Sequence, residues 1–151
     1  MIRNIKSKSA RLAPVKQIAE DRAKTATEAM VTARNDHQTN KQKLTDLMRY
    51  RNDYQSELQS KGKSGVTAMQ LQQYQTFIAQ LDKAILQQQH QVTRTKAELE
   101  HREATWQHKN SHKEAINKVV GRMHKAELAA EDSKQQKELD EHNIQSHFRK
   151  L

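Results

Sequence analysis

His108 and His112 stand four residues apart, a spacing that stacks two imidazoles on one face of a helix, and the chemistry open to such a pair is divalent-metal ligation. A protein-held zinc needs three or four ligands. The residues between the two histidines are Lys109, Asn110 and Ser111, so the glutamate of an H-E-x-x-H site is missing. A solvated helix face accounts for the pair. The chain also has no cysteine, no glycine-rich phosphate loop and no nucleophile elbow. The reading is of a chain that is not an enzyme and has no metal, cofactor or small-molecule substrate.

What remains is contact chemistry. Phe77, Leu81, Ala84 and Gln88 follow a four-three-four step that lines them up on one side of a helix. A phenylalanine set among glutamines has two uses. It can lie across a groove and cover Leu47 or Tyr50, or it can stand as an aromatic anchor for another protein. Both uses stay open on the residues alone.

The element that must carry this stripe is a long helix. Positions 71, 74, 78, 81, 85, 88, 92, 95, 99, 102, 106, 109, 113, 116, 120 and 123 alternate steps of three and four, the heptad spacing of a coiled-coil seam. Its apolar members include Leu71, Tyr74, Ile78, Leu81, Ile85, Val92, Leu99 and Trp106. A second series, 12, 16, 19, 23, 26, 30, 33, 37, 40, 44, 47, 51, 54 and 58, is alanine-rich at first and ends strongly on Leu44, Leu47, Tyr54 and Leu58. The nine glutamines between residues 70 and 91 fall on and around the first series, as the surface of such a coil.

Composition agrees with a coil rather than a globule. Only 34% of the residues are hydrophobic and 30% are charged, and the mean hydropathy is −1.10. A two-helix coil needs only about two apolar positions in seven, so this is enough. No apolar run is long enough to span a membrane, and the expectation is a cytoplasmic protein. The formal charge of +9 points to an acidic partner. Residues 1–24 hold seven basic side chains against two acidic ones.

Taken in order, residues 1–11 are expected to be a flexible basic arm. Residues 12–151 are expected to form one domain: helix 1 over about 12–59, a link at 60–66 and helix 2 over about 67–148. Pro14 suits a first helical turn, with Ser9 or Ala13 near the cap. Gly62 and Gly65 end helix 1, and Thr67 caps helix 2. So short a link makes the helices antiparallel.

The fold class is therefore all-α, a long antiparallel two-helix coiled-coil hairpin whose C-terminal helix extends beyond the N-terminal one. Folding at the link pairs residues whose numbers sum to 128 or 129. Leu58 then meets Leu71, Leu47 meets Leu81, Leu44 meets Ile85, Met30 meets Leu99 and Leu12 meets Ile116. Polar Asn40 falls opposite polar Gln88 as a register lock, and Ala23 falls opposite Trp106. Beyond Met123 helix 2 is expected to have no counterpart. The rod would measure roughly 80 to 120 Å at about 1.5 Å per helical residue.

Tyr50, Tyr54 and Leu58, a glycine-containing link, then Tyr74, Phe77, Ile78, Leu81 and Ile85, and a tryptophan at 106 recur at the spacings of a known family. From about residue 44 to 110 the chain resembles FliJ, a cytoplasmic component of the flagellar type III export apparatus. The resemblance implies a non-enzymatic stalk that is a monomer when free. The resemblance further implies binding to the hexameric export ATPase FliI, the cytoplasmic part of the export gate FlhA, and export chaperones. It also implies a place at the inner face of the membrane at the flagellar base. Gate binding would fall on Phe77, Leu81, Ala84 and Gln88, although the family has a histidine where this chain has Gln88. Ring binding would fall on the end with both termini, through Arg11, Lys16, Arg22, Met123 and Leu128.

Three rivals share the seam. A basic nucleic-acid-binding coiled coil would feed a continuous basic helix into its zipper, which this arm does not do. The others are a stalk of the related virulence export machine and a homodimer whose chains do not fold back.

Overall fold

The computed structural model describes residues 7–150 and holds two α-helices, α1 (Lys8–Ser64) and α2 (Ala68–Arg149). The described residues contain no strand. The helices pack against each other as a hairpin, the fold class that the seam predicts. Of 57 and 82 residues respectively, they are joined by residues 65–67 alone.

The turn is built from local chemistry. Gly65 has φ of 97°, a backbone conformation that a side chain would resist, and it stops α1. Gly62, expected to share that task, lies inside α1 instead, because a helical glycine costs stability without breaking the hydrogen-bond ladder. Thr67 then opens α2 with a reciprocal capping box. Its hydroxyl accepts from the Gln70 N–H at 3.2 Å, and the Gln70 side chain accepts from the Thr67 N–H at 3.2 Å.

The start of α1 departs further from expectation. The cap is Ser7, whose Oγ accepts from the Ala10 N–H at 3.3 Å while its carbonyl accepts from Arg11 at 3.0 Å. Lys8–Arg11 are thus helical and not part of an arm, and Pro14 sits in the second turn, not the first. Residues 1–6 of the expected arm lie outside the described residues.

Burial follows the predicted seam. Among the described residues, those shielded most fully are Ala19, Ala23, Ala26, Met30, Ala33, Ile78 and Thr95, every one a seam position. Ala23 and Thr95 lie deepest, since a short seam side chain stays close beneath the facing helix. Leu71 is 40% exposed beside the turn, against its expected place in the seam. Arg102 also leaves the seam, turning its guanidinium out to Glu98 at 2.7 Å.

Contacts gather into two units: Ala26–Trp106, and the residues up to Thr25 together with those from Gln107. In the first, the Gln88 amide donates to Asn40 Oδ1 at 2.9 Å and to the Asn40 carbonyl at 3.0 Å, the register lock that the seams predict. Next to it, His37 Nδ1 lies 3.0 Å from Thr95 Oγ1, which itself donates to the Val92 carbonyl at 3.1 Å. Helical side chains lean toward their own N-terminus, so His37 meets Thr95 rather than Val92, its nominal counterpart. Arg34 and Glu103 approach to 3.9 Å on the outer edge.

In the second unit, Leu12, Ile116, Val120 and Met123 are half-buried, and Ala19 and Ala23 are buried. Glu127 accepts from the Ser9 N–H at 3.1 Å and from the Ser9 hydroxyl at 2.5 Å. Pairing therefore reaches past Met123, where α2 was expected to lose its counterpart, because α1 begins earlier than Pro14 suggests. From Leu128 onward nearly every residue of α2 is exposed.

Candidate functional site: an aromatic patch near the turn

Two helices build this patch. Phe77, on α2, is 38% exposed, and its ring centroid lies 4.4 Å from that of Tyr54 on α1, tilted by 46°. Tyr54 also meets Tyr74, with centroids 6.3 Å apart and planes at 57°. Both separations are those of favourable tilted ring pairs. The aromatic side chain that Phe77 packs on is thus Tyr54, one helical turn beyond Tyr50, which remains 60% exposed.

The rest of the stripe sinks from the surface into the seam. Leu81, Ala84 and Gln88 are half-buried, since Leu81 and Gln88 belong to both rows. Gln88 spends its amide protons on Asn40, so its free capacity is mainly its carbonyl oxygen. Phe77 is the outward member of the four.

Shallow recesses flank the Phe77 ring. One is lined by Met69, Gln72, Gln73, Thr76 and Gln80 along α2; the other by Tyr54, Glu57, Lys61, Gln70, Gln73 and Tyr74 between the helices. Lys61 Nζ donates to the Tyr74 hydroxyl at 2.7 Å, stands 3.3 Å from Glu57 and lies 5.3 Å from the Tyr74 ring centroid. The Tyr74 bond, followed by that to Glu57, raises the Lys61 ammonium above the ordinary lysine value. Below the recesses, Arg51 pairs with Asp82 across the helices. The result is an apolar ring face with an amide and ion-pair rim, an arrangement suited to docking a protein surface.

Sequence reasoning found Phe77 from its step and set it against Leu47 or Tyr50 of α1, whereas its ring partner is Tyr54. Tyr54 could have been added by noting that it lies four residues from Tyr50 on the same face. The Lys61–Tyr74 contact has no signal in spacing, because it depends on how the turn closes.

The other residues named from sequence are spread over the second unit. Arg11, Arg22 and Leu128 are exposed, and Lys16 and Met123 are half-buried on the seam. His108 and His112 are exposed, and no group of three or more possible metal-ligating side chains occurs among the described residues. No helix among them is long and apolar enough to cross a membrane.

Comparison with known proteins bears on the family of the chain. A family model described as Flagellar FliJ protein matches residues 7–151. The chain is 30% identical over 139 residues to the Flagellar FliJ protein of Escherichia coli (strain K12), covering 92% of this chain and 95% of that relative. It is 29% identical over the same length and shares to the Flagellar FliJ protein of Salmonella typhi. No solved structure matches. With a match that runs through both helices and the patch between them, this chain belongs to the flagellar FliJ protein family.

Proposed function

We propose that the chain is a non-enzymatic coupling component of the flagellar type III export apparatus that works by docking. The patch around Phe77 binds the cytoplasmic part of the export gate FlhA, with Leu81, Ala84 and Gln88 beside it. Arg11, Lys16, Arg22, Met123 and Leu128 meet the export ATPase FliI ring, whose hydrolysis is thereby linked to export. Export chaperones are further partners, and the complex sits peripherally at the inner membrane face of the flagellar base. Basic Arg11 and Arg22, exposed on α1, suit a partner surface of acidic character.

The observation that carries this reading is the half-exposed Phe77 ring seated on Tyr54, in a chain of this family. A large apolar ring left at the surface of so polar a molecule is what a binding anchor requires. The test is to measure binding of Phe77→Ala to the gate fragment and, separately, to the ATPase. Loss of a central aromatic anchor costs about 2 kcal/mol or more, roughly thirtyfold in affinity. Gate binding should fall by that much with ATPase binding unchanged. Equal loss of both would make the ring a structural element.

A further inference from the structure

Pro14 is the seventh residue of α1, counted from Lys8, and it has no N–H to give to the carbonyl of Ala10. The first turns are therefore joined to the body of the helix by an incomplete ladder. Ala10 and Pro14 are both exposed, which leaves that carbonyl to water. Ahead of this break, the structure holds the segment down in two ways. Leu12 is half-buried in the seam, and Glu127 of α2 takes both the N–H and the hydroxyl of Ser9. The Ser9 N–H is one of the first-turn donors that a helix cannot satisfy from within, so α2 supplies the missing acceptor, and supplies it as an anion at the positive end of α1.

We infer that residues 8–13 are a strap, hinged at Pro14 and latched by Glu127, that opens and closes as a unit while the rest of α1 stays paired. Closed, the strap is held by bonds between residues 118 apart. Its own ladder lacks one bond at the proline. Opening costs few seam contacts, since the body of the seam begins beyond Pro14 with buried Ala19. Released, it carries Lys8 and Arg11 away from α2.

The strap is tested by residue-resolved amide exchange on the full chain. In Glu127→Ala, exchange at Ser9, Ala10 and Arg11 should rise about tenfold while Ala19 and Ala23 stay within about twofold. Adding Pro14→Ala to Glu127→Ala restores the ladder and should return Arg11 toward its original protection. Spin labels at Lys8 and Lys125 should show one narrow distance in the parent chain and a broad distribution in Glu127→Ala. Unchanged exchange at Ser9 to Arg11, a rise spread equally to Ala19 and Ala23, or no recovery with Pro14→Ala would each overturn the hinge and latch.

Discussion

Gln88 reaches across from α2 and gives its amide protons to both the side chain and the backbone carbonyl of Asn40 on α1. Two bonds to one residue tie a single pairing, since a shift of either helix by one seam step would set an amide against an aliphatic side chain. Such a polar layer trades stability for uniqueness of register.

Replacing both members by leucine should therefore act in opposite directions on the two properties. Asn40→Leu with Gln88→Leu is expected to keep or raise the melting temperature while broadening spin-label distances between the helices. Asn40→Ala alone should cost about 1 kcal/mol, because the half-buried Gln88 amide keeps its bond to the backbone carbonyl at position 40 and loses the one to the side chain. Chemical denaturation and pulsed electron resonance read the two effects separately.

The two glycines near the turn should respond oppositely to alanine. Gly65→Ala forces a side chain into a left-handed backbone and should destabilise by about 1–2 kcal/mol. Gly62→Ala, helical and with open space around the added methyl group, should stabilise by about 0.4–1 kcal/mol. Equal effects at the two positions would contradict the turn described above.

Ala26→Leu tests the close approach in the alanine-rich stretch. Ala26 is buried in the seam, and extra methylenes there must push α2 away, with an expected loss of about 1–3 kcal/mol. The same change at exposed Ala79, on the outer face of α2, should be close to neutral. Urea unfolding of the two variants side by side decides the point.

Acid and base should loosen different contacts. The Ser9 hydroxyl and N–H, with the nearby charge of His124 adding to them, hold the Glu127 carboxyl below the ordinary carboxylate range. A depressed carboxyl contributes fully above its unfolded value and loses that contribution as pH falls through its folded one, so the Ser9 contact should open only on the acid side. Lys61 is raised, so its contribution is complete below the ordinary lysine value and is lost as pH climbs through the folded one. Carbon-detected titration of Glu127 and Lys61 should show shifts in these directions, and a raised Glu127 value would rule out the Ser9 bonds.

What could be read before the structure was the period. Three-four spacing identified nearly every shielded residue of both helices and the facing of Asn40 with Gln88, because heptad position alone decides which side chains turn inward. The ends were less legible. Pro14 suggested a start at the first turn, but Ser7 offered a better cap and Glu127 added an acceptor from another element, which no local rule can anticipate. Gly62 and Gly65 looked alike in sequence, and only backbone geometry separates the one that ends α1. Phe77 stood out by its step, whereas its support by Tyr54 required knowing which flank of α1 lies alongside.

The capped three-residue turn also has a kinetic consequence. Thr67, Gln70 and Gly65 favour the reversal through bonds between near neighbours, so the entropy of closing the chain is small at Lys61 with Tyr74 and Tyr54 with Tyr74 and grows for each pair farther along. Folding should begin at the aromatic cluster and zip outward, with mutations at Tyr54 or Ile78 slowing the forward rate and those at Ala26 or Met30 mainly hastening unfolding. The residues that present Phe77 would then form the nucleus as well as the proposed binding face.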